Sequence, residues 1–151
     1  MEKIKKEALE FLKRNTTMVV ATVAENGWPQ YSLVYFVTND DFDLYFLTSK
    51  KSRKYDNLRY SEKVSFVIGR GPEVVTIQGA GLAKELGARE AQTFYEVMEK
   101  IAIKDAKQWP LPILAKEGFA TFKITPMWMS MLDLQNSYYA DAKTENFHKI
   151  V

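Results

Sequence analysis

The strongest constraint on the fold is a series of short apolar segments separated by turn signals. Residues 18–24 form the first segment, and they are apolar at both alternating sets of positions. Glu25-Asn26-Gly27 follows, and because Asn-Gly readily adopts the positive φ values of a type I′ turn, it predicts a hairpin. A strand that lacks a polar face is covered on both sides. The chain therefore needs a closed barrel or a second layer around this strand.

Seven strands and three helices are predicted along the chain. The strands are expected at residues 18–24, 30–37, 42–48, 64–68, 73–85, 119–124 and 127–134, and the helices at 4–14, 53–60 and 87–107. Gly79 and Gly81 lie inside the long fifth strand, where glycine marks a bulge or a sharp coil. Short strands in nearly consecutive hairpin order, one of them bent by glycine, close more easily than they lie flat. We therefore expect a mostly β protein with flanking helices, an antiparallel split barrel of six to seven strands.

One domain accounts for most of the chain. The 151 residues are 46% hydrophobic, enough for a single buried core. The N-terminal helix is amphipathic and is expected to pack as a lid. Trp109-Pro110-Leu111-Pro112 is interpreted as a rigid linker. From residue 135 the sequence is polar and without periodicity, so we expect a barrel domain over residues 1–134 and a loosely held tail over residues 135–151.

Composition removes several classes of function. A net charge of +2 does not favour nucleic acid as a partner. The absence of cysteine removes thiolate nucleophiles and zinc–thiolate sites, and the single histidine, His148, lies near the C-terminus, so neither a Ser-His-Asp triad nor a multi-histidine metal site is expected. No apolar run approaches the roughly 18 residues of a membrane span, and the N-terminus is charged. We expect a cytoplasmic protein with no metal and no membrane partner.

The turn after the third strand has the composition of an anion site. It brings together three hydroxyl donors and four cations within seven residues: Thr48, Ser49, Ser52, Lys50, Lys51, Arg53 and Lys54. A helical pattern begins directly after it. Hydroxyls and backbone N–H groups at a helix N-terminus, together with Lys or Arg, are the donors that a phosphate requires. From composition alone, a solvated basic loop explains the same residues.

These residues also carry a family resemblance. The segment Phe46-Leu47-Thr48-Ser49-Lys50-Lys51-Ser52-Arg53-Lys54 follows a predicted helix, an Asn-Gly hairpin and a strand. After it come Asn57-Leu58, the Val64-Ser65-Phe66 strand, the long glycine-containing strand, a helix and a final strand pair. The chain in this respect resembles the FMN-binding split-barrel family, the pyridoxamine 5′-phosphate oxidase-like group, over residues 4–134. The resemblance implies that Thr48, Ser52, Arg53 and Lys54 hold the phosphate of FMN, with Leu47 and Ser49 beside it.

The same resemblance implies where the flavin ring lies. Family members place it against the second strand, here Ser32, Leu33 and Val34, and complete the pocket with a second subunit, which implies a homodimer. Tyr35 and Trp128 are aromatic candidates for lining the ring, and Gln78 is a candidate amide for its polar edge. The apolar outward faces expected for residues 18–24 and 119–124 also favour dimerisation.

Departures from the family pattern bear on activity. Pyridoxamine phosphate oxidases place an Arg where this chain has Ser32, place a Lys where it has Val37, and continue into an Arg-rich C-terminal segment. We therefore do not expect pyridoxamine phosphate oxidation. The expected function is an FMN-dependent reductase or oxidase of an unidentified small molecule, with NADH or NADPH as candidate electron donors. No catalytic residue is assigned, since the flavin supplies the redox chemistry.

Three other functions fit the same residues. A non-catalytic flavin carrier or sensor would share every residue named above. A relative that binds a deazaflavin would keep the basic turn. A haem-binding relative is disfavoured, because His148 is the only imidazole in the chain.

Overall fold

The computed structural model describes residues 2–69, 75–104, 118–134 and 147–151. Its elements in chain order are α1 (Lys3–Arg14), β1 (Thr17–Val23), β2 (Pro29–Thr38), β3 (Leu44–Ser49), α2 (Arg53–Tyr60), β4 (Lys63–Ile68), β5 (Val75–Glu85), α3 (Ala88–Lys104), β6 (Phe119–Asp133) and β7 (Phe147–Lys149). None of the helices in these ranges is long and apolar enough to cross a membrane.

The strands form a closed antiparallel barrel. They are hydrogen-bonded in the order β3-β2-β1-β4-β5-β6-β7, and β3 also pairs with β6. That last pairing closes β1 to β6 into a barrel and leaves β7 on the outer edge of β6. The predicted split barrel with flanking helices is confirmed.

The barrel interior is filled by alternate residues of each strand. On β4, Val64, Phe66 and Ile68 are buried while the residues between them are exposed, as expected for a strand with one face toward a core. Helix α1 adds Ala8, Phe11 and Leu12 to the same core, which fits the predicted lid. Each large apolar side chain buried in this way contributes about 1.5–3 kcal/mol relative to its exposed state.

The glycines of β5 occur where β6 bulges toward them. Ala80 pairs with Trp128 and Gly81 pairs with Pro126, so Met127 has no partner on β5. A Cβ on Gly79 would lie 2.5 Å from the ring of Phe66. The predicted bulge is therefore confirmed, and the extra residue belongs to β6.

Two predicted strand boundaries are wrong. Residues 119–133 form one strand rather than two, because the proline predicted to separate them, Pro126, sits at the bulge, where a missing N–H is tolerated. The third strand begins at Leu44 rather than at Phe42. Phe42 has a φ of +68° and belongs to a turn in which its N–H donates to the Asn39 carbonyl oxygen.

The end of the chain differs from the expected loose tail. Residues 147–149 pair with β6, and Ile150 is only 2% exposed within the main core. The alternation Phe147, His148, Lys149 has too little apolar character to predict a strand. Other predictions lie outside the described residues: the start of the fifth strand at 73–74, the helix end at 105–107, the linker at 109–112 and the tail at 135–146.

Candidate cofactor site

Helix α2 begins at a network of hydroxyl groups. The Ser52 Oγ accepts a hydrogen bond from the Tyr55 N–H at 3.1 Å and caps the helix. The same hydroxyl donates to the Ser49 carbonyl oxygen at 2.7 Å. Thr48 Oγ1 lies 2.9 Å from Ser52 Oγ, and because the single proton of Ser52 is already donated, Thr48 is the donor in this contact. The end of β3 and the start of α2 are thereby held together.

A buried amide attaches α2 to the barrel. Asn57 Nδ2 donates to Thr22 Oγ1 at 3.0 Å on β1 and to Gln30 Oε1 at 2.9 Å on β2. Asn57 is 7% exposed and Thr22 is 1% exposed. Buried polar groups need such partners, because leaving one unpaired costs about 1–3 kcal/mol. No role was predicted for Asn57, and the only local signal was an amide next to the apolar Leu58.

The N-terminus of α2 borders a cavity of about 340 Å³, which we call the α2 groove. Its walls come from β2, β3, the turn before α2, and the start of β6. The lining residues are Leu33, Val34, Tyr35, Leu47, Thr48, Ser49, Ser52, Lys54 and Phe119. All of these except Phe119 were named from the sequence as candidates. Phe119 was not predicted, and it reaches the groove because β6 pairs it with Ser49.

Lys54 is the cation that lines this groove. Burial lowers the pKa of Lys54 from its ordinary value of 10.5, because removing an ammonium from water disfavours its charged form. Among the described residues, no carboxylate forms an ion pair with Lys54. The groove therefore contains a partly desolvated cation to which the described residues offer no ion pair. An anion bound there would supply the opposite charge.

The other cations of the turn point to solvent. Lys50, Lys51 and Arg53 are all exposed, and none of them lines the α2 groove. Arg53 is the first residue of α2 and lies next to Lys54. The structure thus divides the basic turn into one groove cation and three surface cations.

Three further residues that were predicted for the site lie outside the α2 groove. Ser32 pairs with Val20 on β1 and does not line the groove. Gln78 and Trp128 line a separate, shallower cavity of about 240 Å³ on the outer face of β1, β4, β5 and β6. Within one chain, these two side chains are therefore not part of the α2 groove.

Comparison with known proteins identifies the family of the chain. The family model described as pyridoxamine 5′-phosphate oxidase matches residues 4–133. The chain belongs to the pyridoxamine 5′-phosphate oxidase family. A pyridoxine/pyridoxamine 5′-phosphate oxidase from Proteus mirabilis is 34% identical over 100 residues, which are 66% of this chain and 46% of that protein. The chain thus matches a little under half the length of this relative.

Solved structures with the same fold have names that indicate different ligands. A putative pyridoxamine 5′-phosphate oxidase from Listeria innocua has a TM-score of 0.69 at 21% identity, covering 87% of this chain and 99% of that one. A related FMN-binding protein from Nostoc punctiforme has a TM-score of 0.66 at 17% identity, covering 91% and 87%. A haem storage protein from Vibrio cholerae has a TM-score of 0.64 at 22% identity, covering 83% and 91%. At these identities the likeness concerns the fold.

Proposed function

We propose that this protein binds FMN in the α2 groove and acts as an FMN-dependent oxidoreductase on a small molecule. The observation that carries the proposal is Lys54, a partly buried cation that has no described carboxylate partner. It stands beside the hydroxyls of Thr48 and Ser52 at a helix N-terminus. A phosphate monoester carries about 1.5 to 2 negative charges at neutral pH, and this set of donors suits it.

The rest of the groove fits a flavin in chemical character. Beyond the hydroxyls, the walls are formed by Leu33, Val34, Tyr35, Leu47 and Phe119, which suit a flat aromatic ring system. The lining thus combines polar groups, at Thr48, Ser49, Ser52 and Lys54, with apolar side chains. FMN combines the same two kinds of group in its phosphate and its ring.

Bound FMN would supply hydride transfer, with NADH or NADPH as the candidate reductant. In this proposal Lys54 and Thr48 hold the phosphate, and Ser52 keeps α2 capped so that its backbone N–H groups remain directed at the anion. The apolar walls orient the ring and exclude water from one of its faces. Arg53 and Ser49 contribute at the rim.

A homodimer would complete the site. The outer face of the barrel exposes large apolar side chains, including Leu33 at 67%, Trp128 at 45% and Val67 at 38%. In residues 119–124, where we expected an apolar outward face, Ala120, Phe122 and Ile124 fill the core, and the alternate positions are Phe119, Thr121 and Lys123, of which Thr121 is also buried. The exposed patch includes the cavity that holds Gln78 and Trp128, so a partner could bring these two residues to the groove. Light scattering should report a dimer at micromolar concentration, and a monomer that binds FMN would contradict this part of the proposal.

Haem is a weaker alternative for this chain. The names of two solved structures with this fold describe haem storage or haem binding. In this chain the only histidine, His148, lies on β7 opposite Met131 and lines neither cavity described above. A deazaflavin or a purely carrier role would use the same groove residues. The mass of the bound cofactor distinguishes a deazaflavin from FMN. A turnover assay distinguishes an enzyme from a carrier.

The proposal is tested by the absorption spectrum and cofactor mass of the purified protein, followed by an NADH and NADPH oxidation assay. A flavin spectrum with the mass of FMN and a measurable oxidation rate supports it. A Soret band, the mass of a deazaflavin, or a protein that takes up no flavin would contradict it. FMN without turnover would support the carrier.

A further inference from the structure

A third cavity, of about 330 Å³, lies on the outer face of β2 and β3 beside α3, and we call it the Phe94 cavity. Its lining residues are Val37, Thr38, Asn39, Tyr45, Leu86, Glu90, Thr93 and Phe94. The rings of Tyr45 and Phe94 stack with centroids 5.6 Å apart. Together with Val37 and Leu86 they form an apolar wall suited to a small aromatic body.

This cavity shares a wall with the α2 groove. Phe94 packs against Tyr35 and Leu47, which line the groove, and against Val37 and Tyr45, which line the Phe94 cavity. Val37 and Tyr45 are directly opposite each other in the pairing of β2 and β3. A small molecule in the Phe94 cavity would therefore lie beside the contents of the α2 groove.

The polar groups around the Phe94 cavity are mostly acceptors. Thr38 Oγ1 donates its proton to a backbone carbonyl oxygen of Asp43 or Asn39, and Thr93 Oγ1 donates to the carbonyl oxygen of Arg89. Both hydroxyl oxygens can therefore only accept a hydrogen bond from a ligand. Asn39 Nδ2 donates to Asp43 Oδ2 at 3.0 Å and to the Tyr45 hydroxyl oxygen at 3.3 Å, so its two protons are also in use.

The charged groups around the cavity also favour a cationic ligand over an anionic one. Glu90 is the one ionisable carboxylate among the lining residues, it is exposed, and no described cation forms an ion pair with it. Lys123, on the neighbouring strand, pairs with Asp43 at 3.3 Å. The pKa of Lys123 is raised mainly by its hydrogen bond to Asp43, with a smaller contribution from Glu90, so two carboxylates act on this one cation. An anionic ligand would find no free cation among the described lining residues.

We propose that the Phe94 cavity binds a small aromatic amine that carries neither a phosphate nor a carboxylate. The ring would lie against Tyr45 and Phe94, and the ammonium would face Glu90 and the threonine oxygens. This inference rests on the proposed function in one respect: the bound amine would be the class of substrate presented to FMN. It distinguishes this chain from a relative named for a phosphorylated substrate.

Matched probes test the ligand class. 2-Phenylethylamine and 3-phenylpropionate have similar bodies and opposite charges, and each can be titrated by NMR into protein with and without FMN. The amine is expected to bind about two- to fivefold more tightly, the range that an exposed charge pair allows. Glu90→Gln should remove most of that preference. Binding of the carboxylate as tightly as the amine would overturn the inference.

Location is tested with a second pair of variants on α3. Thr93→Phe fills the cavity mouth, whereas Gln92→Phe places the same ring on a neighbouring exposed residue that does not line the cavity. Only Thr93→Phe should abolish amine binding, and unchanged binding in that variant would overturn the assignment. Titration with FMN tests the proposed function independently of amine binding. If FMN binds and the carboxylate is preferred, the inference alone fails; if FMN does not bind and the amine preference persists, the proposed function alone fails.

Discussion

Thr48 Oγ1 donates to Ser52 Oγ at 2.9 Å, and this contact joins the end of β3 to the N-cap of α2. Thr48 is buried and lines the α2 groove. A hydroxyl in this position can turn its proton to a bound phosphate, because Ser52 keeps its hydrogen bond from the Tyr55 N–H. The pair therefore links the stability of the helix start to anion binding.

Thr48→Val keeps the side-chain shape and removes the hydroxyl. One hydrogen bond to a charged group contributes about 1.5–3 kcal/mol, so FMN affinity should fall roughly tenfold or more while riboflavin affinity changes little. Isothermal titration with both ligands measures this. Equal losses for FMN and riboflavin would show that the groove itself had changed.

Ser52→Ala removes the side-chain cap of α2 and should lower the free energy of unfolding by about 1 kcal/mol.

Lys54→Ala should weaken FMN binding by roughly ten- to a hundredfold, since it removes the cation that lines the groove. The structure ranks Lys54 above Arg53, because Arg53 is exposed and does not line the groove. We expect Arg53→Ala to have a smaller effect than Lys54→Ala, even though Arg has the better fork for phosphate. Fluorescence quenching of FMN on binding provides the measurement.

Lys50 and Lys51 are the matched controls for that comparison. Both are exposed cations of the same turn, so Lys50→Ala or Lys51→Ala should change affinity less than a few-fold and mainly alter its salt dependence. If all four variants lose affinity equally, the effect is general attraction by a basic turn, and the specific role of Lys54 is contradicted.

The pH dependence of binding should depend on Lys54. Burial lowers the pKa of Lys54 in the free protein, and a bound phosphate would raise it again by favouring the charged form. Above about pH 7, where the phosphate carries nearly two negative charges, FMN affinity should be full up to the lowered pKa of Lys54 and fall as pH rises through it, in a window that begins below 10.5. Riboflavin has the same ring without the phosphate, so the ratio of the two affinities isolates the effect. Lys54→Arg should flatten that ratio across the range, and an unchanged slope in Lys54→Arg would assign the titration to another group.

Asn57→Leu should destabilise the fold by about 1–3 kcal/mol, because Thr22 and Gln30 would lose their buried partner. Asp56→Ala is the control, since Asp56 is exposed on the same helix and its loss should stay within about 0.5 kcal/mol. Urea denaturation of both variants gives the comparison. Equal stability of Asn57→Leu and the wild type would mean that this amide does not hold α2 to the barrel.

The fold was predictable because its signals are local. Asn26-Gly27 specifies the hairpin between β1 and β2, and alternating burial on β4 follows directly from its sequence. The continuous β6 was missed because a proline normally ends a strand. Pro126 is accommodated only through a bulge opposite Gly81, which is distant in sequence. Strand β7 was missed because three residues carry too little pattern of their own.

The lining of the α2 groove was predictable where its residues are contiguous. Residues 47–54 include five lining positions of the α2 groove in a single run. Phe119 was not predicted, because its place in the groove depends on the pairing of β3 with β6. Lys54 is partly buried whereas Arg53 is exposed. This difference in burial is not visible in the sequence, where the two cations are adjacent. Gln78 and Trp128 lie in another cavity of the same chain.

A parallel titration of FMN, FAD and riboflavin into the wild-type protein tests the central claim most directly. The α2 groove offers one anion site formed by Lys54, Thr48 and Ser52 beside an apolar wall. FMN should therefore bind most tightly, with riboflavin weaker by the contribution of the phosphate contacts, and the adenylate half of FAD should add nothing. Tighter binding of FAD, equal binding of FMN and riboflavin, or binding of none of the three would contradict the assignment of the α2 groove as an FMN phosphate site.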